Sequence, residues 1–410
     1  MKNRDYLLNE YAKLVILKGV NVQKDQIVFI QSSINSAPFA RLLTKEAYLA
    51  GAGEVIVNFT DEIISREHLI HKSEEKLANV PDYIIRMNEY ACENKACFIS
   101  ITSPILGINS DVDSKRLQIS SRALNERLKM RRDYLMSNHG QWTVVGYPNP
   151  VWAKKVFSGF SEEEAFDRLL ESILVACRVD ENSFSNWDKH NQKLSRYNKL
   201  LTDFNFESLH FKNNLGTDIT VGLADDHIWA GGEDVSTFGV RFNPNLPTEE
   251  NFTMPHKFKV SGKVVATMPL DFQGKLIEDF YLVFEDGKVV DFDAKKEKET
   301  LKNILFYDEG ASRIGEIALI PDDSPISNSK TLFYNTLFDE NASCHMALGA
   351  AYPTNTKDGS SLSKEELEKR GCNISGIHVD FMFGSPDMEI IGKKKDQTEV
   401  KIFHKGNYCI

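Results

Sequence analysis

In the first half of the chain, short β-branched runs alternate with longer amphipathic stretches. Residues 5–19 space their apolar positions along one helical face. Residues 37–50 (APFARLLTKEAYLA) do the same and meet a stop at Gly51 and Gly53. Residues 162–177 and 191–204 repeat the helical spacing, and 116–136 predicts a long charged helix. Between these stretches lie 27–31 (IVFIQ), 54–59 (EVIVNF), 97–102 (CFISIT) and 142–147 (WTVVGY). Such runs are apolar throughout rather than alternating, the pattern of strands covered on both faces. The reading is an α/β N-terminal domain with a parallel sheet, residues 1–205.

The pattern changes near residue 208. LHFKNNLGTDITVGL predicts a hairpin turning at 213–216. Further strands are expected over 258–268, 277–284 and 288–292, the last two joined at Gly287. A helix is expected over 294–305, then strands over 312–320, 374–383 and 388–392. This is an α+β C-terminal domain, residues 206–410. No glycine-rich loop opens a helix after a strand, so the parallel sheet carries no dinucleotide fingerprint.

Composition narrows the function classes. The 410 residues carry a net charge of −10, which argues against a nucleic-acid partner. Lys129, Arg131 and Arg132 form a small basic run best read as a solvated helix face. No apolar window is long enough to span a membrane. The polar start, MKNRDYLLNEYAKL, lacks the apolar stretch of a signal peptide, so a cytoplasmic location is expected. The six cysteines match neither a disulfide framework nor a zinc pair, and are read as structural, with Cys344 notable only for its neighbour His345.

Candidate chemistry lies in the second half. His378 and Asp380, two apart in the strand-like run IHVDFMF, project from one face. They suit a divalent metal, or a plain His–Asp hydrogen bond at a sheet surface. Glu340, His345 and Tyr352 lie in DENASCHMALGAAY, rich in small residues, where Gly349 makes a regular helix doubtful. Glu249 and Glu250 follow Pro247 and Thr248, where paired carboxylates usually mark a solvated loop. Glu316 opens the apolar run GEIAL, usually an exposed strand end. His68 and His71 stand in a polar segment and read as surface residues. Together the carboxylates and imidazoles match what a pair of divalent ions requires.

These segments resemble the thermophilic metallo-aminopeptidases of the aminopeptidase T, aminopeptidase S and PepS type. The resemblance rests on Asn245-Leu246-Pro247-Thr248-Glu249-Glu250 with Phe252, Thr253 and Pro255, and on Gly315-Glu316. It rests also on Asp339-Glu340-Asn341 with Cys344, His345 and Gly349, and on His378-Val379-Asp380-Phe381-Met382 with Gly384 and Ser385. It covers essentially the whole chain. It implies an exopeptidase that releases N-terminal amino acids from peptides with water activated by two divalent ions, zinc or cobalt first, manganese or magnesium next. The ligands it implies are Glu250, Glu316, His345, His378 and Asp380, with Glu340 a further ligand or the group directly behind them. Glu316 or Glu340 would act as the base and Tyr352 would face the developing oxyanion, while Glu249 is structural. Asn251 and Met254 depart from the smaller or apolar residues expected there. The resemblance implies a homodimer acting on peptides with a free amine, with no nucleic-acid or membrane partner. A metal-dependent deacylase and a non-catalytic metal-binding module are the alternatives.

Overall fold

The four β-branched runs of the first half pair side by side in a computed structural model that describes residues 3–410. The sheet order is Glu54–Thr60, Ile27–Ser33, Cys97–Thr102, Trp142–Gly146 and Asn245–Leu246, every pair parallel. Helices Arg4–Leu14, Ala37–Leu49 and Glu162–Ala176 bury the faces their spacing predicts, including Tyr11, Leu14, Phe39, Leu43, Leu169 and Ile173. The ring of Phe39 stacks between Tyr11 at 4.8 Å and Tyr147 at 5.4 Å. Ser161 and Glu164 form a reciprocal cap at the start of the Glu162–Ala176 helix, satisfying two otherwise orphaned N–H groups.

Local departures have local causes. The expected helix over 5–19 is α-helical to Leu14 and ends in a π-helical turn over Val15–Gly19. The helix over 116–136 is two, Ser114–Arg127 and Lys129–Met136, because Leu128 leaves helical geometry. The helix expected at 191 begins at Ser183. Helices Glu62–His71 and Asp82–Glu93 went unanticipated, and the first buries none of its residues. His68 and His71 on it are exposed, with His71 against Glu67 at 3.1 Å. The basic run is partly spoken for: Lys129 pairs with Asp133, and Arg131 lies over the rings of Phe29 and Phe98 at 5.7 and 5.3 Å.

The second half builds two antiparallel sheets. The larger runs from Leu270–Phe272 through Lys275–Glu285, Pro255–Val265, Asp218–Leu223, Phe206–Lys212 and Glu389–Lys394 to Glu399–His404 and Asn407–Tyr408. Lys288–Lys296 pairs on Lys275–Glu285, so the start of the expected 294–305 helix is strand and the helix is Lys298–Leu305. The 206–223 hairpin forms as expected. The smaller sheet has the order Asn251–Thr253, Ile314–Leu319, His345–Gly349 and His378–Met382. One core joins the inner faces of both: Phe211, Val221, Phe280 and Ile390 from the larger, Ile317, Leu319, Met346, Leu348, Val379 and Phe381 from the smaller. Each such side chain contributes roughly 1.5–3 kcal/mol by leaving water.

By contacts the chain divides into two units. One takes the chain up to Asn191 with Gly232–Thr248 and Gln273–Lys275; the other takes Gln192–Gly231, Glu249–Phe272 and Leu276–Ile410. The sequence reading has a single boundary at 205/206, whereas these contacts return Asn245–Leu246 to the first unit. Among the described residues no helix is long and apolar enough to cross a membrane.

Candidate metal centre

The four-stranded sheet sorts its residues by the two-residue period of a strand. Odd-numbered Ile317 and Leu319, with Met346, Leu348, Val379 and Phe381, fill the core. The alternate positions form the other face. There Glu316 stands opposite Ala347, and Ala347 opposite Asp380; His345 stands between Ala318 and Met382; His378 pairs with Gly349. On the edge strand Phe252 pairs with Ala318, and Glu250 lies two residues before it. Acidic and imidazole groups thus surround two alanines and a glycine, which leave the centre of the face clear.

The distances are short. His345 Nε2 is 3.3 Å from Glu250 Oε2 and 3.3 Å from Glu316 Oε1. His378 Nε2 is 3.6 Å from Glu316 Oε2 and 3.3 Å from Asp380 Oδ1. The two oxygens of Glu316 therefore face different imidazoles. Glu250, Glu316 and His345 offer ligand atoms within 4.8 Å of one another, and all three are buried. The sequence expectation of an exposed Glu316 and a solvated Glu249-Glu250 pair is corrected: each is more than nine-tenths buried. The His345 segment is a strand, not a helix, with Gly349 at φ +101 closing it.

Both histidines have a fixed tautomer. His345 Nδ1 donates to the Glu340 carbonyl at 3.0 Å, and His378 Nδ1 donates to the Ala350 carbonyl at 2.7 Å. A neutral ring so held turns the Nε2 lone pair towards carboxylate oxygens, which is repulsive unless a cation or proton lies between. Burial opposes charge on both rings, yet Glu250 and Glu316 hold His345 well above its usual range. Asp380 and Glu316 likewise push His378 up to about 10. Burial also raises Glu316, and raises Glu340 strongly with help from Asp380 and Glu250. Asp380 ends below its usual range because His378 and His345 outweigh its burial. Its Oδ1 is buried and finds no hydrogen bond of proper geometry.

The supporting residues are mostly asparagines. Asn341 accepts the Glu249 N–H at 2.7 Å and donates to the Leu337 carbonyl at 2.8 Å. Asn373 donates to the carbonyls of Gly310 at 2.8 Å and Gly349 at 2.6 Å, fixing the turn that carries the His378 partner strand. Asn251, fully buried, donates to the Leu194 carbonyl at 3.0 Å and to Asn198 Oδ1 at 2.6 Å, and accepts Tyr408 Oη–H at 2.9 Å. That network accounts for a polar residue where an apolar one is expected. Met254 packs with Ala224, Ala351, Leu367 and Cys372. Asp339 stands outside the cluster and accepts the N–H groups of Phe333 and Asn335, while burial pushes its carboxyl up to about 7. The Cys344 thiol donates to the Ile320 carbonyl on the core side, and burial lifts it to about 11.

Tyr352 lies edge-on to His378, ring centres 5.0 Å apart, and Phe252 edge-on to Tyr352 at 6.0 Å. Burial and the surrounding carboxylates keep the Tyr352 phenol protonated. All seven residues singled out in the sequence therefore meet at one place. The donor set fits a divalent cation on its own terms: buried carboxylates in excess, two imidazoles whose Nε2 atoms face those carboxylates, and an Asp380 oxygen with no hydrogen bond of proper geometry. Asn341 and Asn373 carry no sequence signal for this supporting role, because their contacts with the Glu249 N–H and with the Gly310 and Gly349 carbonyls join positions far apart in the chain, which spacing does not encode.

Comparison with known proteins bears on what such a centre does. A profile of the family described as thermophilic metalloprotease (M29) matches residues 4–408. Aminopeptidase 2 of Geobacillus stearothermophilus is 44% identical over 403 residues, covering 98% of this chain and 97% of its own. Aminopeptidase AmpS of Bacillus subtilis is 43% identical over 403 residues, with 98% of each chain covered. The solved structure of wild-type AmpT from Thermus thermophilus superposes with a TM-score of 0.91 at 36% identity, covering 99% of this chain and 100% of that one.

Proposed function

The chain belongs to the thermophilic metalloprotease family M29, and we propose that it is a metal-dependent aminopeptidase that releases N-terminal residues from peptides. The observation that carries this reading is the buried convergence of Glu250, Glu316 and His345 within 4.8 Å. Two divalent ions, zinc or cobalt, are the fuller form of the proposal. Its support is the division of Glu316, one oxygen towards His345 with Glu250 and the other towards His378 with Asp380. Ions held there supply Lewis acidity, polarising a carbonyl and acidifying water.

The chain's own residues do the rest. Surplus carboxylate charge receives the substrate's ammonium group and orients the scissile bond. Glu340, buried beside the cluster, takes the proton from the attacking water and passes it to the leaving amine. Glu316 is the other residue capable of this step. The protonated Tyr352 donates to the oxyanion as it forms. A homodimer in the cytoplasm completes the proposal.

The test is a panel of aminoacyl and N-blocked anilides, with chelated protein reloaded singly with zinc, cobalt, manganese or magnesium. Metal-dependent turnover of free-amine substrates alone is expected. Equal turnover of blocked substrates would make the protein a deacylase, and no turnover with any ion would leave a binding module. Glu340→Gln should retain bound metal and lose about 10²–10⁴-fold in rate. Loss of metal instead would make Glu340 a ligand.

A further inference from the structure

The carboxylates of the centre are buried, and what exposure remains belongs mainly to His378 and Asp380. His378 and Asp380 keep 20% and 15% of their side chains exposed, while Glu250, Glu316 and His345 keep less than a tenth. Phe252 and Tyr352 are partly exposed as well, with Tyr352 edge-on to His378. Phe252 projects from the same face as Glu316, because it pairs with Ala318 in the sheet. Its other strand neighbour is Ala230. Both cross-strand neighbours of Phe252 are thus alanines, whose side chains are small beside the ring. A half-buried aromatic ring beside a carboxylate cluster, with its polar neighbour Tyr352 standing edge-on at 6.0 Å, is a surface suited to an apolar group and unsuited to an acidic one.

Resting on the aminopeptidase reading, we propose that Phe252 determines specificity: with Tyr352 it forms the wall against which the side chain of the released residue packs, so the enzyme favours large apolar N-terminal residues over small or acidic ones. The geometry couples the two halves of recognition. A substrate whose amine meets the carboxylates carries its first side chain within one side-chain length of the amine, and Phe252 is two residues along the chain from Glu250, in the strand that Glu250 immediately precedes. An acidic side chain placed there meets Glu250, Glu316 and Asp380 and is repelled. An alanyl residue leaves the ring unfilled. Differences of a few methylene groups in an apolar pocket separate substrates by about 10–200-fold in kcat/KM.

The experiment compares leucyl, alanyl and glutamyl anilides on the metal-loaded wild type, Phe252→Ala and Phe252→Leu, with metal content and melting temperature measured on each. The wild type should favour leucyl over alanyl by about 10-fold or more. Phe252→Ala should reduce the leucyl-to-alanyl ratio of kcat/KM by about 10-fold, and Phe252→Leu should restore most of it. Loss of rate on both substrates in equal proportion, or an unchanged ratio, overturns the wall and leaves the aminopeptidase reading standing. Wild-type turnover of none of the three overturns the reading and the wall together.

Discussion

Removing one hydroxyl tests how the edge strand beside Glu250 is held. In Tyr408→Phe the ring keeps its packing: stacked on Tyr197 with centres 4.1 Å apart, and edge-on to Phe403 at 4.5 Å. What goes is the 2.9 Å hydrogen bond to Asn251 Oδ1, together with a long 3.5 Å one to the Leu319 carbonyl. Asn251 has no exposure, so its carbonyl oxygen is left without a donor and without water. Stranding a buried acceptor costs about 1–3 kcal/mol. The same substitution in an Asn251→Leu background strands nothing, because the acceptor is already gone, and should cost less than about 0.5 kcal/mol. Urea unfolding of the four proteins, from midpoint and slope, gives the coupling directly. Chelator competition on the same set gives a second reading, since partners standing behind ligands typically change metal affinity about 10–100-fold. Equal cost of Tyr408→Phe in both backgrounds would refute the reasoning, and unchanged metal affinity would confine the network to stability.

Three further outcomes are expected. Gly231 sits at φ +139, where a Cβ would meet the Glu250 carbonyl oxygen at 2.0 Å, so Gly231→Ala should destabilise by more than about 3 kcal/mol and displace the ligand strand, seen as joint loss of melting temperature and bound metal. Chelation should lower the melting temperature by exposing the carboxylate cluster to its own repulsion; an ion restored to a hundred times its dissociation constant should return about 2.7 kcal/mol, and an unchanged melting curve would argue against the centre. Ser385 Oγ–H and the Asn214 N–H hold the Asp387 carboxyl below its usual range, so its contribution is complete above about pH 4, the unfolded value, and is lost as pH falls through the lower folded value. Asp387→Asn should flatten that acid limb of the stability profile, measured by urea unfolding between pH 2 and 5.

The legibility of the chain followed the range of the forces involved. The parallel strands were readable because continuous β-branched runs such as EVIVNF answer to burial on both faces. The helix Glu62–His71 was not, because it buries no residue and so leaves no apolar stripe. His378 and Asp380 were readable as a pair, since a strand's period is local. The depth of Glu316 was not: it depends on two neighbouring strands, one starting at His345, whose partners lie far along the sequence. The strand at 345 was obscured by the same small residues that make room for the centre, Ala347 and Gly349. The family resemblance supplied the convergence that local pattern withheld.

The short pairing of Asn245–Leu246 alongside Trp142–Gly146 has a practical bearing on dissection of the gene. A fragment ending near residue 205 would synthesise four of the five parallel strands and leave the backbone of Val144 and Val145 without its mate. Bare edges of that kind recruit other chains. The complementary fragment would carry the mate with nothing to zip onto. Expression of either half by itself therefore invites aggregation at that seam, and co-expression or a permuted chain that keeps residues 232–248 with the first half is the sounder route.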